Sequence, residues 1–196
     1  MTDHKTFLSN VIIHGFATAH AIAAASLAQT MVGDEATLTA LTIGMIISLS
    51  RLYNAPMSWG GALTFFGVFA GFYLGTRGAT CLIKWIPGIG NTANALSTIF
   101  TTEVIGWATV YLLQRKRDLT TVSRDEAEDI IRKGKELREK NKAEKERIDN
   151  IVNHKMTTGE KAMYHSIMEQ LKDKDLSNQQ QENLIRDLDN LFKRYE

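Results

Sequence analysis

Trp107-Ala108-Thr109-Val110-Tyr111-Leu112-Leu113-Gln114-Arg115-Lys116-Arg117 is where the chain changes character. Residues 1–113 hold four basic side chains (Lys5, Arg51, Arg77, Lys84) and four acidic ones (Asp3, Asp34, Glu35, Glu103), out of 23 and 22 in the 196 residues. A soluble domain spreads charge over its surface at roughly a quarter of its positions. The first 113 residues fall far short of that, and lipid is the simplest solvent for them. The alternative is a set of helices buried in a soluble bundle. The step predicts a membrane-associated helical unit over residues 1–117 and a soluble helical tail over 118–196.

Upstream of the step, the apolar runs predict about four short helices, all α. Residues 7–32 carry no Asp, Glu, Lys or Arg, enough for a helix of about 20 residues to cross a bilayer. Gly33-Asp34 reads as a turn. Residues 36–50 form a second run, ended by Arg51 and by Asn54-Ala55-Pro56, where proline lacks the donor a helix needs. Residues 58–76 form a third, and 91–114 a fourth after the break at Ile86-Pro87-Gly88-Ile89-Gly90-Asn91. The second run is short for a full crossing, so re-entrant or interfacial helices fit as well as spanning ones. Ala23-Ala24-Ala25-Ser26-Leu27-Ala28 has the small residues of a signal-peptidase site, but the basic region before it is weak.

Downstream, the helix signals are of another kind. Ser123 with Glu126, Thr157 with Glu160 and Ser177 with Gln180 have the spacing of capping boxes. Ala127, Ile130, Gly134, Leu137, Asn141, Glu144, Ile148 and Ile151 alternate at threes and fours, a heptad seam with polar residues at two core positions. Glu128 with Arg132 and Glu136 with Lys140 stand four apart in the favourable order. Leu184, Ile185, Leu188, Leu191, Phe192 and Tyr195 share one face of the last helix, which needs a partner to pack on. The tail is therefore expected to be partly coiled-coil-like, to fold back as a hairpin or dock on a partner, and to be soluble and helical as a fragment from Ser123 onward.

Residues with possible function are few. Gly67, Gly71 and Gly75 leave one helix face without side chains, the pattern by which membrane helices approach closely, and so predict a homo-oligomer. Glu103 is an ionisable group within an apolar helix and a possible intramembrane polar site. Its alternative is a carboxyl hydrogen-bonded to Thr101 or Thr102. Arg115, Lys116 and Arg117 directly after an apolar helix read as a cytoplasmic stop that attracts anionic headgroups. With Lys5 inside, four crossings return the tail to the cytoplasm at the inner membrane. Arg77 and Lys84 would then lie outside, a conflict that a re-entrant third segment removes.

His14 and His20 are six apart, off a shared helix face, so buried hydrogen-bonded histidines are expected rather than a metal site. His154 and His165 are expected to be exposed. The lone Cys81 excludes an internal disulfide, and net charge near zero in both halves gives nucleic acid no basic field. Neither a catalytic constellation nor a cofactor motif emerges.

The order Gly33-Asp34, Leu38-Thr39-Ala40-Leu41, Met45-Ile46-Ile47, Leu52-Tyr53 and Lys84-Trp85-Ile86-Pro87-Gly88-Ile89-Gly90-Asn91 resembles an uncharacterised helical membrane domain that often stands behind Era-like GTPase domains in bacterial proteins. The resemblance covers roughly half the chain and implies membrane association and GTPase-coupled work. The chain holds no Gly-rich loop ending in Gly-Lys-Ser or Gly-Lys-Thr. Asn141-Lys142-Ala143-Glu144 stands in a charged helix and reads as solvated surface. A GTPase would therefore be another polypeptide. The expected function is a non-enzymatic membrane scaffold or adaptor whose tail recruits a protein. The alternative is an oligomeric pore or channel, toxic to its own cell, with a path past Glu103.

Overall fold

A computed structural model describes residues 4–30, 35–77, 92–173 and 175–195, with side chains at 4–23, 39–69, 99–173 and 175–195. Its regular structure is all helical. The apolar helices are α1 His4–Thr30, α2 Glu35–Leu52, α3 Trp59–Arg77 and α4 Thr92–Gln114. The charged ones are α5 Ala127–Lys140, α6 Lys142–Asn150, a single π turn at Ile151–Lys155, α7 Thr158–Gln170 and α8 Asn178–Phe192. The turn expected at Gly33 and Asp34 and the break at residues 86–91 lie outside the described residues.

The apolar helices run up and down. Along α1, His20 meets Thr42 of α2 and Thr102 of α4, while Ser9 meets Tyr53 and Thr6 meets Gln114. Both neighbours are therefore antiparallel to α1. Asn54 sits in the left-handed region (φ 56°), which asparagine tolerates, and Pro56 keeps α2 from continuing, as its sequence predicts. At the end of α4, Lys116 takes φ 54°, with Arg117 N–H donating to Leu112 O (3.1 Å) and Lys116 N–H to Leu113 O (3.0 Å). This paired bonding ends a helix and satisfies its last carbonyls. It turns the chain back so that α5 lies along α4.

The tail does not stand apart. One hydrophobic core contains Phe7, Ile12, Phe16, Ile46, Leu49 and Ala108 together with Ile130, Ile148, Ile167, Leu188 and Phe192. The step at Arg117 marks where the chain begins to coat its own apolar helices. The heptad seam serves this purpose and not a coiled coil: Ala127, Ile130, Gly134, Ile148 and Ile151 are buried against the chain's own bundle. The seam is also divided. At Asn141 the backbone leaves the helix (φ −100°, ψ 10°), the side chain donates to Leu137 O (2.8 Å), and the carbonyl accepts from Asn10 Nδ2 (3.2 Å). The apolar face of α8 packs as its periodicity requires, with Phe192 edge-on to both Phe7 (5.9 Å) and Tyr164 (5.7 Å). Such ring pairs contribute about 0.5–1.5 kcal/mol each beyond burial.

The capping boxes at Thr157/Glu160 and Ser177/Gln180 are complete in both directions. The one at Ser123/Glu126 is half formed: Glu126 accepts from the Ser123 N–H and hydroxyl, but α5 begins only at Ala127. On its surface Arg132 pairs with Asp129 and Glu136, and Glu136 with Lys133, in place of the expected Glu128 and Lys140. Glu160 takes bonds from the Thr157 N–H, the Thr157 hydroxyl and the Tyr195 hydroxyl, which hold its pKa down at about 2. Because that is below the usual carboxylate value of 4.5, its contribution is complete above that value and is lost as pH falls through the folded pKa. Carboxyl-carbon NMR should place its midpoint near 2, with faster amide exchange in the first turn of α7 below it. A midpoint above 4 would mean that the box is open in solution.

Gly134 sets the approach of α5 to α4. A Cβ there would stand 2.5 Å from Val104 O and 3.0 Å from Ala108 Cβ, and backbone cannot give way as a flexible side chain does. Alanine gains up to about 1 kcal/mol of helix propensity over glycine, whereas overpacking costs about 1–3 kcal/mol. Gly134→Ala should therefore be destabilising by about 1 kcal/mol in chemical denaturation. A stabilised variant would show that the two helices are less close than described.

Candidate functional site

The polar residues inside the apolar helices meet the coat. Glu103 of α4 is 3% exposed and faces two cations, Arg138 Nε at 2.6 Å from Oε2 and Lys145 Nζ at 2.7 Å from Oε1. The Lys145 contact is an ion pair without hydrogen-bond angles, so Oε1 has no hydrogen bond. Arg138 also covers the Phe100 ring at 4.7 Å. The bend at Asn141 brings the ends of α5 and α6 to one carboxylate. Neither Thr101 nor Thr102 holds Glu103, as the local reading allowed. A charge this deep is costly unless paired, and here both partners come from the coat.

The histidines follow the same plan. His20 is buried and lies 3.0 Å from Thr102 Oγ1 and 3.4 Å from Thr42 Oγ1, tying three apolar helices together. His14 Nε2 meets Asp149 Oδ1 at 2.5 Å, and His4 Nε2 meets Asp189 Oδ1 at 2.8 Å. Arg51, read from sequence as a helix stop, donates to Gln181 Oε1 (3.1 Å), contacts Asn178 and lies 3.7 Å from Glu182. His154 and His165 are exposed.

The other residues singled out by sequence lie elsewhere. Gly67 is exposed on α3, and a Cβ there would meet nothing within 4 Å. Gly71 and Gly75 continue the same helix, but their surroundings lie outside the described residues. Arg115 stacks on Tyr111 (3.9 Å) and Arg117 grips Glu126 with two bonds of 3.0 Å, while Lys116 is exposed. This triplet sits at the coated end of the bundle.

The opposite end is different. The coat reaches α1 at its first half, α2 near Gly44 and Arg51, and α4 from Phe100 to its end. Where it stops, Ile22 (63%) and Phe100 (37%) are exposed, while Leu63 (46%) is exposed one turn into α3, near the coated end. Among the described residues one helix is long and apolar enough to cross a bilayer, α1 over His4–Ala23, with mean hydropathy 1.2 and 61% of the stretch buried in the bundle. A core helix passes the same test, because a helix apolar on all sides fits either setting. Comparison of the chain with protein-family models, with curated proteins and with solved structures finds no match.

Proposed function

We propose that this protein is a non-enzymatic membrane scaffold that enters lipid by the uncoated end of its bundle and offers its charged coat to a protein partner. The observation that carries the reading is the distribution of charge around that end. Residues 18–30, 36–50, 58–76 and 91–102 hold no Asp, Glu, Lys or Arg, the charges Asp34, Glu35, Arg51, Arg77 and Lys84 falling between these runs, and Ile22 and Phe100 emerge where the coat stops. From Thr18 to the end of α1 a helix rises about 20 Å at 1.5 Å per residue. A hydrocarbon core is about 30 Å thick. That rise falls short of the full core, so the uncoated end suits partial insertion better than four crossings. In this arrangement Arg138, Lys142 and Lys145 stand nearer the headgroups than Arg115, Lys116 and Arg117 do.

The sequence resemblance supports a separate GTPase as the partner. The apolar faces of the tail are occupied within the chain, so the partner is recruited by the charged outer face of the coat. Gly67 is exposed on α3, and the face it shares with Gly71 and Gly75 is the one a second copy of the chain would use. A channel past Glu103 is less well supported, because Arg138 and Lys145 already engage that carboxylate.

Cell fractionation tests the membrane reading. The protein is expected in the membrane pellet and to stay there through a carbonate wash, with the membrane potential of overexpressing cells unchanged. Release by carbonate would remove the embedded form of the proposal, and a collapsed potential would favour the channel.

A further inference from the structure

At the edge of the coat a cleft of about 650 Å³ opens between α1, α2, the π turn and α7. Pockets that take small molecules run from roughly 300 to 1,000 Å³. Its two sides differ in chemistry. The bundle contributes Ala19, Ile22, Ala23 and Leu41, with His14 and Thr18 as its polar groups. The coat contributes Asp149, Tyr164, His165, Glu169 and Lys172. Gly15, on the cleft lining, lets α7 pack closely on α1, since a Cβ there would stand 2.7 Å from the Tyr164 hydroxyl and 2.6 Å from Met168 Cε. The π turn supplies Val152 and Asn153 to the wall, and single π turns recur at functional sites. Burial, reinforced by the Asp149 carboxylate, raises the Tyr164 pKa and keeps its hydroxyl protonated as a donor.

An occupant that matches both sides has an aliphatic part and a polar part. The polar side carries both signs: Lys172 is ion-paired with Glu169, and the Asp149 carboxylate meets His14 Nε2. A purely anionic head would face two carboxylates, and a purely cationic one would face the Lys172 ammonium. A zwitterionic head satisfies both, since its charges can intercalate into the existing pair. We propose that this cleft binds one zwitterionic phospholipid, its chain along Ala19, Ile22 and Leu41, its phosphate towards Lys172 and His165, and its ammonium towards Glu169 and Asp149. The bilayer is the source of the lipid, and in that respect the assignment rests on the membrane reading above.

The test uses the full chain in a non-ionic maltoside detergent, with native mass spectrometry and calorimetric titration, and so does not depend on fractionation. The probes are lysophosphatidylethanolamine, lysophosphatidylglycerol and chain-free phosphoethanolamine. Expected is saturable binding of one lysophosphatidylethanolamine per chain, with each of the others at least about tenfold weaker, a difference of about 1.4 kcal/mol. Thr18 is exposed on the cleft wall, so Thr18→Trp should plug the site and abolish binding while leaving the fold intact. Lys172→Gln should weaken binding about tenfold, and Lys142→Gln, on the coat outside the cleft, should not change it. Equal binding of all three probes, non-saturable uptake, or unchanged binding in both Thr18→Trp and Lys172→Gln overturns the proposal. Carbonate-resistant membrane association with no lysolipid binding would leave the scaffold reading standing and remove this one.

Discussion

A fragment of residues 118–196 is expected to lose most of its helix in water, and a fragment of residues 1–117 to require detergent. The seam of α5 and α6 and the face of α8 bury their apolar side chains on α1, α2 and α4. Ile130, Ile148, Leu188 and Phe192, with Ile167 of α7, are all buried in the shared core. At about 1.5–3 kcal/mol for each such side chain, five of them represent about as much free energy as the whole stability of an ordinary domain, about 5–15 kcal/mol. The contact between α7 and α8 survives the cut but is small beside this. Circular dichroism of the fragment checks it, against the helix content of the same residues in the intact chain. Retention of that helix would show that the tail is an independent unit, as its capping signals alone predict.

Removing both cations from Glu103 should be the most damaging pair of substitutions in the coat. Arg138→Met with Lys145→Met preserves much of the side-chain volume but leaves a carboxylate that is 3% exposed without a counter-charge. Stripping the partners from a buried charge costs about 3–5 kcal/mol, which for a chain of this size lowers Tm by roughly 10 °C. Adding Glu103→Gln to the double variant should restore a large part of the loss, because the uncompensated charge is then gone. If the triple variant melts with the double, the damage lies in packing and not in charge.

The elements themselves were largely legible. The Asn54-Ala55-Pro56 stop, the two complete capping boxes and the buried face of α8 follow from local chemistry that acts within a few residues. The destination of each face was not. Periodicity shows that Ile130 and Ile148 need burial, but it does not distinguish a second chain from helices that lie earlier in the same one. The apolar helices offered no guide either, since a helix apolar on every side indicates no preferred partner. Glu103 looked solitary because its cations lie 35 and 42 positions away in a segment whose composition suggests a separate unit. The cleft gave least signal of all: Gly15, Tyr164 and Lys172 are unremarkable in sequence, and only the packing of α7 across α1 brings them together.

The coat follows in the chain the helices that it covers, and that order has a temporal consequence. Synthesis proceeds at about 5–20 residues per second, so roughly 4–16 seconds separate the completion of α4 from that of α8. Throughout that interval Phe16, Ile46 and Ala108 belong to a nascent chain that lacks the surface destined to cover them. A ribosome paused in this stretch would present bare hydrophobic helices to whatever reaches them first, a bilayer or a chaperone, and that encounter precedes any choice the finished protein can make.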